Sequence, residues 1–175
     1  MIFLGFHPIA FDNIKYLLEG HIYDLDLSSE LIIQDRNELL NQAKWQKEYD
    51  ITFALEQLSN LNCKFKLLSE LNNIASELLE SNLNEQLSGV HFEMIFSMKT
   101  SLTSLQVNEI VLLLKTYWGQ QRKFEVVKIE KMFPKEIEYL FVVKFERLIY
   151  EEQMENLGEL VEVAVKALNE IENIL

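Results

Sequence analysis

The sequence predicts an α+β fold in which a mostly antiparallel sheet packs with several helices. Two segments, 90–98 and 137–145, alternate apolar with polar side chains, as half-buried strands do. Two others, 107–118 and 157–175, carry apolar side chains at helical spacing. Apolar residues make up 49% of the 175-residue chain, which has only five Gly and two Pro. A chain of this size and composition is expected to build a core without disulfides or metal.

The C-terminal half, residues 90–175, reads as β-α-β-β-α. Thr103 and Gln106 stand at capping-box spacing before its first helix, and Gly119 ends that helix. The predicted elements are a strand at 90–98, a helix at 107–118, strands at 123–132 and 137–145, and a closing helix from about Gln153 to the C-terminus. The short connection between the last two strands predicts a hairpin.

The N-terminal portion, residues 1–88, is predicted to be helix-rich. Its predicted elements are a strand at 1–6, a short helix at 11–19 stopped at Gly20, a strand at 21–27, and two or three helices over 28–87. No Gly or Pro interrupts that last region, and its wide Leu stripe needs a partner surface. An uncovered face of the sheet can supply one, so residues 1–175 are expected to form a single domain.

Chain-level features favour a cytoplasmic protein. The apolar start lacks the basic region and the small-residue cleavage pattern of a signal peptide. No apolar run approaches the roughly 18 residues that a membrane helix needs. Cys63 is the only cysteine, so an intramolecular disulfide is impossible, and we expect a small buried side chain.

Charge is distributed unevenly along the chain, whose net charge is −12. Residues 151–175 carry seven Glu against one Lys, and residues 1–35 carry six acids against one Lys. Residues 67–98 carry five Glu and no Lys or Arg, whereas residues 99–150 carry nine Lys/Arg against six acids. Such a surface attracts cationic partners and repels nucleic acid and anionic membranes. We therefore expect no nucleic-acid or membrane partner.

The basic middle region is a candidate nucleic-acid site. Its cations, which alternate with several Glu, are Arg122, Lys123, Lys128, Lys131, Lys135, Lys144 and Arg147. On neighbouring strands such mixtures form cross-strand ion pairs. Nucleic-acid binders usually have a basic footprint at domain scale, whereas the isoelectric point here is about 4.7. A hairpin face with internally paired charges is the favoured interpretation.

No motif supports catalysis or a bound cofactor, so a non-enzymatic protein without metal or cofactor is predicted. His21, Asp24 and Asp26 form a compact cluster, but on the predicted strand His21 faces away from the two Asp. His91 and Glu93 share a strand face, where a polar cross-strand pair is favoured over an acid–base pair. An enzyme without recognised motifs stays a third alternative, which a pocket joining this pair to another acid would favour.

The closing helix carries the best-defined acidic surface. A stripe at i, i+4, i+8 and i+11 consists of Glu151, Glu155, Glu159 and Glu162. Lys166 is placed to pair with Glu162. A second acidic patch comprises Asp24, Asp26 and Glu30. We predict that these seven carboxylates bind a basic protein partner.

The leading functional hypothesis is an immunity protein or antitoxin-type inhibitor that neutralises a cationic, nuclease-like toxin. Carboxylates placed on the basic surface of a nuclease block its substrate and speed association. The alternative is a chaperone-like or homo-oligomeric module, for example a homodimer. Leu140, Val142 and Leu148 lie on the second face of the predicted sheet, which must be covered or used for association.

Overall fold

A computed structural model describes residues 10–56, 60–78, 87 and 89–175, without the side chains of residues 77, 78, 154 and 155. The strand predicted at residues 1–6 lies outside this part of the chain. The elements in order are α1 (Ala10–Leu27), β1 (Ile32–Asn41), β2 (Gln46–Ala54), β3 (Leu61–Ser69), α2 (Leu71–Leu78), β4 (Val90–Met98), α3 (Ser104–Trp118), β5 (Lys123–Met132), β6 (Lys135–Ile149), a 3-10 helix (Glu151–Asn156) and α4 (Leu157–Glu172).

The predicted α+β class is confirmed. Six strands form one antiparallel sheet in the order β1-β2-β3-β4-β6-β5, and the long hairpins β1–β2 and β5–β6 form its two edges. Helices α1, α3 and α4 pack against one face of the sheet, and α4 lies between the other two. The β-α-β-β-α order of residues 90–175 is as predicted, including the capping box of Thr103 and Gln106 and the end of α3 at Gly119.

The helix-rich N-terminal portion is wrong, because residues 28–69 form three strands instead of helices. In β3 the buried residues alternate strictly with half-buried ones: Leu61, Cys63, Phe65, Leu67 and Ser69 face the helices. In β2, Tyr49, Ile51 and Phe53 also face the helices, although Asp50, Thr52 and Ala54 between and after them are buried too. Each of these runs has the period of two that defines a strand, and apolar residues that happen to fall at helical spacing across strand boundaries obscured it.

Helix α1 also differs from the prediction. It continues through Gly20 to Leu27, so the strand expected at residues 21–27 does not exist. Gly20 lies in open space with no atom within 4 Å of the position of a Cβ, and a single glycine costs a helix only about 1 kcal/mol. Burial of Ile14, Leu18 and Ile22 along one side of the helix outweighs that cost.

Aromatic contacts connect the strands beneath the helices. Phe53, Phe65, Phe92 and Phe145 stand on β2, β3, β4 and β6, and successive ring centroids are 5.2–5.3 Å apart in edge-to-face geometry. This is the favoured arrangement of aromatic quadrupoles, worth about 0.5–1.5 kcal/mol per pair beyond area burial. Cys63 lies in the same layer with no exposed surface, as predicted, and burial raises the pKa of its thiol well above the usual value.

The second face of the sheet carries mixed charges around an apolar strip. The strip comprises Ile95, Leu140, Val142, Val127 and Ile129, and no helix is packed over it in the described part of the chain. Val127 and Ile129 are 42% and 38% exposed, whereas Val142 is nearly buried by its neighbours. Leu140 and Val142 therefore lie on the second face as predicted.

Replacing Phe65 with Ala should remove about 3–5 kcal/mol from the free energy of unfolding, because it breaks two ring contacts and leaves a cavity. Phe133, at the tip of the β5–β6 hairpin, is 96% exposed and offers a matched control. The Phe133→Ala change should alter stability by less than about 0.5 kcal/mol. Urea unfolding measures both, and equal losses would contradict the described core.

Candidate functional site

Helices α1 and α4 lie side by side and run in the same direction. At their beginning, Asn13 Nδ2 donates a hydrogen bond to Glu151 Oε1 at 2.7 Å. Further along, the His21 ring lies against Gly158, where an added Cβ would come within 2.9 Å of the imidazole. At their ends, residues 29–30 and 169–173 line one cleft. The contact follows α1 from Asn13 to its end at Leu27, which is about 21 Å at 1.5 Å per residue.

Charges on the other flank of α1 are used to hold it on the sheet edge. Lys15 pairs with Glu38 at 2.9 Å, and Asp12 pairs with Lys47 at 3.1 Å. The Glu19 carboxylate pairs with Arg36 and accepts a hydrogen bond from the Tyr49 hydroxyl at 2.8 Å. Burial raises the pKa of Tyr49, and its hydrogen bond to Glu19 raises it further. The acids on this flank are therefore neutralised within the molecule.

The sides of α1 and α4 that face each other carry acidic residues, which line the contact between the two helices. On α4, positions 158, 162, 165, 169 and 172 repeat at helical spacing, and both ends of this row contact α1 or its cleft. Glu162 belongs to this row and is exposed. Asp24, also exposed, lies three residues after His21 and thus on the flank of α1 that faces α4.

The cleft at the helix ends is strongly acidic. It encloses about 340 Å³ and is lined by three exposed carboxylates, those of Glu30, Glu56 and Glu172, with no basic residue in its lining. The C-terminal ends of two helices add partial negative charge there. Glu30 accepts a hydrogen bond from the Ser28 hydroxyl at 3.0 Å. Because the cleft lies at the ends of both helices and is lined by carboxylates, it can accept a cationic side chain there.

We call this surface the acidic groove and define it by Glu151, Asp24, Glu162, Glu30, Glu56 and Glu172. None of these carboxylates forms an ion pair with a described residue. Lys166, expected to pair with Glu162, is exposed and also makes no ion pair with the described part of the chain. The groove joins four of the seven predicted residues, whose two sets are more than 100 positions apart in the sequence.

The remaining predicted residues lie elsewhere. Asp26 is half-buried and accepts a hydrogen bond from the backbone N–H of Ile33 at 3.1 Å, so it fastens the turn after α1. Asp24 and Asp26 do not share a strand face as predicted, because both are helical and stand about 200° apart around α1. Glu159 faces a different cavity, on the side of α3. The side chain of Glu155 lies outside the described residues.

The predicted continuous glutamate stripe is also wrong. Helix α4 begins at Leu157, so Glu151 and Glu155 belong to the preceding 3-10 helix. With three residues per turn instead of 3.6, a spacing of four no longer aligns side chains. Of the four glutamates only Glu159 and Glu162 stand on α4, and Glu159 also lines the cavity on the side of α3.

Three carboxylates of the β5–β6 hairpin, those of Glu125, Glu130 and Glu136, form ion pairs, in contrast to those of the groove. Lys144 and Lys123 both contact Glu125, at 2.8 and 3.0 Å, and together they lower its pKa. Lys131 pairs with Glu136 across the hairpin at 2.8 Å. The predicted mixed-charge face is therefore present. Arg122, Arg147 and Lys135 depart from it, since none of them pairs with a described carboxylate.

Glu56 and Glu172 are the groove residues that sequence reasoning missed. Glu56 follows β2 and Glu172 ends α4, and only the fold brings them beside Glu30. No local pattern marks either residue. Both could have been suspected only from the acidic composition of their surroundings.

The described residues include no group of three or more His, Cys, Asp or Glu side chains placed to hold a metal ion. On the second face of the sheet, His91 and Glu93 line a depression of about 330 Å³ together with Glu70 and Glu146. The His91 side chain makes no hydrogen bond to a described residue, and Lys66 and Lys144 lie in the same lining. The depression therefore brings acidic and basic side chains together, but no hydrogen bond joins the His91 side chain to any of them.

Comparison of the chain with protein-family models, with curated proteins and with solved structures gives no match. Among the described residues, no helix combines the length and apolar character that crossing a membrane requires.

A double-mutant cycle tests the contact between α1 and α4. Gly158→Ala should stabilise the His21→Ala background by up to about 1 kcal/mol, the helix-propensity gain of Ala over Gly. With His21 present the gain should be smaller by about 0.5 kcal/mol or more, because the added methyl displaces the imidazole.

Gly20→Ala is the control, since its Cβ would meet open space. It should give the same gain with or without His21. Free energies of unfolding from urea titration measure all six proteins. A coupling of zero between positions 21 and 158 would contradict the described contact.

Proposed function

We propose that the protein is a non-enzymatic inhibitor that binds a basic, nuclease-like protein through the acidic groove, as immunity proteins and antitoxins do. The observation that carries the proposal concerns the carboxylates: six of the ten on the described strands form ion pairs within the molecule, whereas none of those along the groove does. Free carboxylates at an exposed surface attract a cationic partner without first giving up an internal partner.

The shape of the groove suits a basic segment of a partner. Its length of about 21 Å accommodates roughly four turns of helix, or a shorter extended strand. The lining is acidic from Glu151 to Glu172, so cationic side chains at several points can be matched at once. Surfaces that bind phosphates in nucleases are basic, and occupying them with carboxylates excludes the substrate.

Neutralising the groove should slow association with the partner. The groove variant carries Asp24→Asn, Glu30→Gln, Glu162→Gln and Glu172→Gln, which changes the net charge from −12 to −8. Capture from a lysate of the producing cells on immobilised wild-type protein is expected to retain a basic nuclease and suppress its activity. The groove variant should associate about tenfold more slowly at low salt, with a weaker salt dependence.

A matched control separates the groove from net charge. The sheet variant carries Glu48→Gln, Glu125→Gln, Glu130→Gln and Glu136→Gln, which remove four paired carboxylates and give the same net charge of −8. It should associate at close to the wild-type rate. Equal slowing of both variants, or retention of no basic protein by the wild-type chain, would overturn the proposal.

Self-association through the second face of the sheet is the second candidate function. The apolar strip of Ile95, Leu140, Val142, Val127 and Ile129 supports it, because paired charges border the strip and leave it free to meet a like surface. Two such faces from two copies would stack as sheet on sheet. This corresponds to the homo-oligomeric, chaperone-like alternative.

Substitutions on one strand distinguish the two candidates. Val127 and Val126 are 42% and 40% exposed and point to opposite faces of β5. If the second face mediates association, light scattering at micromolar concentration should show a dimer that Val127→Lys dissociates and Val126→Lys does not. A wild-type monomer would reject self-association and leave the inhibitor proposal standing.

A further inference from the structure

A second cavity, which we call the arginine cavity, lies at the other side of α4 from the acidic groove. It encloses about 240 Å³ between the end of α3, the end of β6 and the beginning of α4. Its polar lining includes Arg122 and Arg147, and its apolar walls include Phe145, Leu160 and Val163. The cavity is a local concentration of positive charge in a protein whose net charge is −12.

Alternation along β6 places the arginine side chains in the cavity. Phe145, Arg147 and Ile149 are at positions i, i+2 and i+4, and all three line the cavity. Arg122 precedes β5 beside them, and its guanidinium carbon lies 4.0 Å from the centroid of the Phe145 ring. This cation–π contact fixes the plane of the guanidinium group.

Neither arginine has a counterion in the described part of the chain. Burial lowers the pKa of Arg122, and the neighbouring charge of Arg147 lowers it further. Glu159 is the one acidic residue of the lining, and it forms no ion pair with a described residue. Two unpaired guanidinium groups that repel each other cost free energy, which a bound anion would offset.

Hydrogen-bond donors around the cavity are also in excess. Arg122 Nε and the indole Nε1 of Trp118 are buried without an acceptor, and Trp118 is only 6% exposed. A buried donor left without an acceptor destabilises the folded protein, because it has lost its hydrogen bond to water. Asn156, at the beginning of α4, makes no side-chain capping bond and lines the same space.

We propose that the arginine cavity binds a small organic anion, a carboxylate or phosphate monoester on an apolar body. The guanidinium fork pairs with two oxygens of either group, which explains why two arginines stand here unpaired. The apolar body packs against the walls formed by Leu157, Leu160 and Val163. A volume slightly below the roughly 300–1,000 Å³ of typical ligand pockets suits a single substituted ring.

Trp118 supplies a direct readout of binding. The chain has two Trp, and Trp45 is 64% exposed, so Trp45→Phe leaves Trp118 in the cavity wall as the only indole. The probes are benzoate and phenyl phosphate, with benzyl alcohol as the neutral control and inorganic phosphate as the control without an apolar body. We expect saturable fluorescence changes with benzoate or phenyl phosphate, with a Kd of about 1 mM or below. The tighter of the two identifies the class of anion.

Matched variants locate the site. Arg147→Met should weaken binding of the anionic probe at least tenfold, whereas Lys135→Met, which removes an unpaired exposed cation at the hairpin, should leave it unchanged. Ligand-induced increase of Tm provides a second readout that does not depend on Trp118. Arg147 is exposed, so the variant should fold with the wild-type Tm or a higher one, because a like-charge repulsion is removed.

The proposal would be overturned by any of three results. The first is the absence of saturation by both anionic probes up to about 10 mM in both readouts. The second is equally tight binding of benzyl alcohol. The third is equal affinity of the Arg147→Met and wild-type proteins. None of these results bears on the acidic groove, whose variants retain both arginines.

Discussion

The row of phenylalanine rings across the sheet is the interaction on which the rest of the structure depends. It crosses the sheet obliquely from Phe53 to Phe145. Phe53 stands two residues before Leu55 in the lining of the acidic cleft, and the ring of Phe145 contacts the Arg122 guanidinium group in the arginine cavity. Because the rings fill the helix-covered face, α1 and α4 rest on a continuous apolar floor. The groove follows the contact of α4 with α1, and the cavity lies on the other side of α4, toward the end of α3.

Residues 90–175 could be predicted from the sequence because each element there carries its own local signal. Alternation marks the strands, and the pair Thr103 and Gln106 marks the beginning of α3. The strands of the N-terminal portion are short-period runs too, but the Leu-rich segment from Leu67 to Leu78 crosses from β3 into α2 and reads as one helical stripe. In β1 the charged residues that bind α1 remove the alternation altogether, since Arg36 and Glu38 occupy positions that face the helix.

The candidate site was predictable in its chemistry and not in its geometry. Acidic excess on the closing helix and the N-terminal segment is visible in the sequence. Glu151 and Glu30 lie at the two ends of the contact between α1 and α4, and helical spacing places Asp24 and Glu162 along it. Which acids remain free depends on contacts between distant elements, as Asp26 shows by capping a turn. Which cations remain unpaired also depends on contacts between distant elements. In the sequence Arg122 and Arg147 have the same kind of neighbours as the paired lysines, and they differ from those lysines because they lie beside the ends of α3 and α4.

The single thiol of Cys63 has a consequence for following the protein in solution. It stands in β3, the strand to which β2 and β4 both pair, and has no exposed surface. A reagent can reach the sulfur only when the middle of the sheet opens, and burial holds the thiol protonated until then. The rate at which a reagent modifies this thiol therefore reports how often the sheet opens, and the measurement needs no engineered label.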